Sequence, residues 1–120
     1  ETIPALKGLF DGMAIRVQTP VGSLSDFTML LARDVTSEEV NQAFTDAANH
    51  PLYKDRISVT TDQIVSSDIV GNPSSAIVDL SLTKVVGGNM VKVIAWYDNE
   101  FGYSNRLVEQ CVLVGKTLKK

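Results

Sequence analysis

The chain has 120 residues, 44% of them hydrophobic, which is enough for one core and too short for two ordinary domains. Its 14 acidic and 11 basic side chains give a formal net charge of -3 and are mixed along the chain. With no basic block to track a phosphate backbone, nucleic acid is not an expected partner. The start Glu1-Thr2-Ile3-Pro4 lacks the basic-then-apolar pattern of a secretory signal, no apolar run approaches the length of a bilayer crossing, and the single Cys111 cannot form an internal disulfide. A soluble protein of the reducing cytosol is the expectation.

In chain order, residues 13 to 19 put Met13, Ile15 and Val17 on one face of an extended segment and Ala14, Arg16 and Gln18 on the other, which predicts a strand. Pro20 and Gly22 break it, and Ser23 to Arg33 forms a second extended run. Thr36 and Glu39 then match a capping box, with Val40, Ala43, Phe44 and Ala47 at helical spacing, and Asn49-His50-Pro51 ends that helix. Ile64-Val65 is a short strand candidate, and Gly71-Asn72-Pro73 marks a turn.

Ser75 to Val86 reads as a long strand, with Ala76, Val78, Leu80 and Leu82 alternating against Ile77, Asp79, Ser81 and Thr83. Gly87-Gly88-Asn89 tolerates the positive φ angles of a tight turn and joins it to a strand over Met90 to Tyr97. Asp98 or Asn99 can cap a last helix that carries Leu107, Cys111, Val114 and Leu118 on one stripe. Lys116, Lys119 and Lys120 suit its negative end. The predicted class is α+β with a largely antiparallel sheet and helices packed on one side, and with no internal boundary.

Few residues are candidates for chemistry. His50 stands at a helix end, where it needs no catalytic role, and Cys111 lies on an apolar stripe, where cysteine acts as a small hydrophobe. Arg16 interrupts an apolar strand, so it pairs with a phosphate or carboxylate ligand or, the reading that spacing alone favours, sits on the solvent face and pairs with a surface acid. Trp96-Tyr97-Asp98-Asn99-Glu100-Phe101-Gly102-Tyr103 gathers aromatic and polar groups at a strand-to-helix junction, a place that either presents side chains to a ligand or simply caps the helix. A carboxamide such as Asn99 donates and accepts, which suits recognition of another amide.

The segment from Trp96 to Tyr103, followed by Ser104-Asn105-Arg106, resembles the start of the C-terminal helix in glyceraldehyde-3-phosphate dehydrogenases. Gly12-Met13-Ala14-Ile15-Arg16-Val17-Gln18-Thr19 resembles the strand around that family's inorganic-phosphate site. Val65-Ser66-Ser67-Asp68 with Gly71-Asn72-Pro73, and Val91-Lys92-Val93-Ile94, resemble further stretches in the same order. The resemblance covers residues 1 to 120 and implies the C-terminal portion of the family's catalytic domain.

That resemblance implies that Asn99 holds the carboxamide of the nicotinamide ring of NAD, that Tyr103 lies beside the ring, and that Arg16 helps bind phosphate. Gln18 stands where the family usually has proline. It further implies a substrate, glyceraldehyde 3-phosphate, consumed with inorganic phosphate, and a homo-oligomer, typically a tetramer, in the cytoplasm. The family's cysteine nucleophile, its catalytic histidine and the NAD-binding domain have no counterpart in these residues, so the chain alone is expected to be inactive and to need the missing N-terminal portion. An erythrose-4-phosphate dehydrogenase segment and a non-catalytic binding or assembly module are the alternatives.

Overall fold

The computed structural model describes residues 3 to 118. Six main elements follow in order: β1 (Ser23–Leu30), α1 (Ser37–Asn49), β2 (Ile57–Thr60), β3 (Ala76–Val86), β4 (Met90–Tyr97) and α2 (Phe101–Thr117). The strands form one sheet in the order β1-β4-β3-β2. β4 pairs antiparallel with both neighbours, and only the short β2 runs parallel, beside β3. The fold is therefore α+β with a mostly antiparallel sheet, as the sequence predicts. Among the described residues no helix is long and apolar enough to cross a membrane.

Helix α1 starts where the sequence says it should. The Glu39 backbone N–H donates to Thr36 Oγ1 at 3.2 Å, and the Thr36 N–H donates back to Glu39 Oε2 at 2.8 Å, so two otherwise orphaned donors are satisfied together. His50 takes an extended conformation and ends the helix. Val40 and Phe44 then pack against the buried cluster of Val78, Val91, Val93 and Ala95 on one face of the sheet. Burying a valine of this kind contributes about 1.5 to 3 kcal/mol.

The β3–β4 hairpin also closes as expected. Gly87 and Gly88 have φ of 62° and 86°. At Gly88 a Cβ would come within 2.8 Å of the exposed Asp34 carboxylate, which would have to turn aside, so it is the positive φ that favours glycine here. The loop after β1 is bound to this turn, because the Leu31 N–H donates to Asn89 O and the Val35 N–H to Gly88 O.

Three sequence expectations are corrected. Residues 13 to 19 form no strand: Met13 is 88% exposed, and no neighbouring strand supplies a ladder for their backbone groups among the described residues. Ile64-Val65 is irregular, and the short strand is Ile57–Thr60 instead. The regular alternation of β3 fails at a bulge, where the register with β4 shifts between Asp79↔Ile94 and Lys84↔Lys92. The extra residues reverse the facing of the strand, so Thr83 is buried and Leu82 is 42% exposed. Val85 thereby rejoins the core beside Val78 although the two lie an odd number of positions apart.

Helix α2 differs from α1 in what covers it. Leu107, Cys111, Val114 and Leu118 are all exposed, so the apolar stripe exists in the sequence but packs on nothing among the described residues. Lys119 and Lys120, expected at its C-terminal end, lie outside the described residues.

Candidate functional site

The chain runs from the end of β4 into α2 through Asp98, Asn99 and Glu100. Asp98 is buried, only 3% exposed, although it lies next to exposed neighbours. Its Oδ1 accepts the backbone N–H of Glu100 at 3.0 Å and that of Phe101 at 2.9 Å, which is the work of a helix cap. Its Oδ2 accepts the N–H of Gly71 at 2.9 Å, from the turn that precedes β3. The Phe101 N–H, then that of Gly71, with that of Glu100, hold its carboxyl below the ordinary aspartate value of 3.8, against the opposing effect of burial. Asp98 is thus the cap the sequence offered, three positions ahead of Phe101, where α2 begins.

With Asp98 turned inward, Asn99 turns outward. Its amide is exposed, and Ser23 at the start of β1 donates its hydroxyl to Asn99 Oδ1 at 3.2 Å. Tyr103, four positions on, is 68% exposed. An open groove of about 360 Å³ lies alongside, lined by Val21, Val70, Gly71, Asp98, Glu100, Phe101 and Ser104. The two residues expected at the nicotinamide ring therefore share the opening of α2, next to a partly apolar depression. Neither side chain lines the groove itself, and an exposed amide can both donate to and accept from another amide.

Arg16 lies on the exposed segment before β1, and no hydrogen bond or ion pair among the described residues joins it to Asn99 or Tyr103. Its setting in an apolar strand, expected from the sequence, is not found. His50 caps the end of α1, where its Nδ1 accepts the Leu52 N–H at 3.2 Å, a structural task. Cys111 is exposed on α2 rather than covered. No group of three or more His, Cys, Asp and Glu side chains that could hold a metal ion occurs among the described residues.

Sequence reasoning missed the contributions of Gly71 and Ser23. Gly71 is 27 positions from the aspartate it binds, and nothing local in either stretch signals the pairing. Ser23 lies further still, 76 positions from Asn99. The capping preference of aspartate was the one legible sign.

Residues 1–99 match the family described as glyceraldehyde 3-phosphate dehydrogenase, C-terminal domain. The glyceraldehyde-3-phosphate dehydrogenase of Streptomyces coelicolor is 52% identical over 116 residues, 97% of this chain and 34% of its own length. That of Haloarcula vallismortis is 51% identical over 109 residues, 91% of this chain and 32% of its own. That of Mycolicibacterium smegmatis is 49% identical over 116 residues, 97% of this chain and 34% of its own. The chain spans about a third of the length of these relatives.

Proposed function

Because this chain belongs to the glyceraldehyde 3-phosphate dehydrogenase C-terminal domain family, we propose that it is the C-terminal part of the catalytic domain of an NAD-dependent phosphorylating dehydrogenase. The complete enzyme converts glyceraldehyde 3-phosphate, NAD and phosphate to 1,3-bisphosphoglycerate and NADH, in the cytoplasm and as a homo-oligomer, typically a tetramer. NAD, when bound, supplies the hydride acceptor. The residues of this chain fit that cofactor through their donor set: the Asn99 amide is exposed and can pair with the nicotinamide carboxamide, and Tyr103 offers a ring beside it.

In this reading Asn99 orients the nicotinamide ring and so selects the face that meets the substrate. Tyr103 limits the space on one side of the ring. Arg16 holds phosphate, a task suited to a planar, permanently charged guanidinium with several donors. The observation that carries the reading is the exposed Asn99 amide on a backbone fixed on both sides by Asp98.

The chain does not turn over by itself. Acyl transfer through a thiolate needs a cysteine with a general base in reach, and no hydrogen bond joins Cys111 to His50 among the described residues. Assay of the chain with and without the remaining N-terminal portion tests the proposal. NADH production from glyceraldehyde 3-phosphate only when both parts are present is the expected result. Cys111-dependent production by the chain alone, or none with both folded parts together, would overturn it.

A further inference from the structure

The first turn of α2 is seated on the loop from Gly71 to Ser75 by three contacts of different kinds. The Asp98 carboxylate accepts the Gly71 N–H at 2.9 Å. Gly102 is buried so closely that a Cβ there would meet Ser74 O at 3.0 Å. Arg106 reaches Ser75 Oγ at 3.4 Å, one turn further along. The loop is itself braced, since the Ser74 N–H donates to Asn72 Oδ1 at 2.9 Å and the Ser75 N–H to Arg56 O at 2.7 Å. Asn99 lies between Asp98 and this first turn, so its backbone joins two points that are seated on the loop.

We propose that Asp98 is the positioning residue of the nicotinamide site: its carboxylate locks the opening of α2 to the Gly71 turn and so fixes where the Asn99 amide points. The inference rests on the reading of Asn99 given above. Asp98 is 3% exposed and both its carboxylate oxygens are taken by backbone N–H groups, so in this role it acts through Asn99. Helix capping alone does not account for it, because a cap needs only the Oδ1 bonds to Glu100 and Phe101. The second oxygen serves Gly71, in a different part of the fold.

The two tasks separate in one substitution. Asp98→Asn keeps an oxygen for Glu100 and Phe101 but turns an NH2 group toward the Gly71 N–H, so the cap survives and the bond to the loop does not. Amide exchange by NMR on the chain itself provides the first readout. Asp98→Asn should expose the Gly71 N–H while the Phe101 N–H stays protected; unchanged protection of Gly71 would overturn the proposal.

The second readout uses the complete enzyme and titrates it with NAD. Displacing an orienting group by a fraction of an ångström should weaken NAD binding about tenfold and lower kcat, with the KM for glyceraldehyde 3-phosphate unchanged. Asp98→Glu, which retains both oxygens, should recover part of the loss. Asn99→Ala distinguishes the two failures. If Asn99→Ala weakens NAD binding and Asp98→Asn does not, the positioning role is wrong. If neither does, the assignment of Asn99 is wrong, and the positioning role falls with it.

Discussion

The two helices have similar sequence credentials and opposite fates. Both are amphipathic, yet α1 lays Val40 and Phe44 on the sheet, whereas Leu107, Val114 and Leu118 of α2 face outward. α1 is held by packing along its length. α2 is held at its opening, by Asp98 and by the close seat of Gly102, and near its middle by the ion pair of Glu109 with Arg56 at 3.1 Å. An apolar stripe thus shows that a helix has a partner to find, and leaves open whether that partner lies within the same chain.

The largest expected effect strikes α1. Phe44→Ala removes the largest side chain that the helix contributes to the core and should cost about 3 kcal/mol in urea unfolding of the chain. Next, Thr36→Ala removes one half of the capping box and should cost about 1 kcal/mol by the same measurement. A larger loss from Thr36→Ala than from Phe44→Ala would mean that α1 owes its stability to its own start rather than to the sheet.

Acid should loosen the opening of α2 before it reaches the sheet. The Asp98 carboxyl has a lower pKa in the fold than its ordinary 3.8, so the stabilisation it gives is complete above that value and is lost as pH falls through the lower native one. Hydrogen exchange at Gly71 and Phe101 should accelerate below pH 3.8 before the Val91 and Val93 amides respond. Simultaneous loss at all four would contradict a separately anchored α2.

The smallest effect is expected at Leu118, 74% exposed just past the end of α2, where Leu118→Ala should change the stability of the chain by no more than about 0.5 kcal/mol. The same substitution in the complete protein should cost more, because there the stripe has a surface to meet. Equal costs in both settings would leave the exposed stripe without a partner.

Local signals predicted this fold well wherever the chain's own turns and caps decide the outcome. Thr36 and Glu39 marked the start of α1, and Gly87 and Gly88 the β3–β4 turn, because each rests on backbone requirements within a few residues. Strand β2 was missed because Ile57–Thr60 is only four residues long and owes its existence to parallel pairing with β3. The bulge in β3 leaves no mark in the Ala76 to Val86 pattern, since reversing the facing of a strand takes a register shift that only the partner reveals.

The segment carrying Arg16 shows the converse. Its alternation is strand-like, but alternation fixes faces and cannot supply a neighbour. At the site, Asn99 and Tyr103 were legible through their resemblance to the family signature and Asp98 through its capping preference. The bond from Asp98 to Gly71 was hidden, because it joins distant parts of the chain.

The central claim, that the β4–α2 junction presents Asn99 to the nicotinamide of NAD, is tested most directly by comparing Asn99→Ala with His50→Ala in the complete enzyme. His50 only ends α1, so its replacement should leave kcat/KM for NAD within about twofold, while loss of the Asn99 amide should lower it by about tenfold or more. Equal losses from the two substitutions would contradict the account.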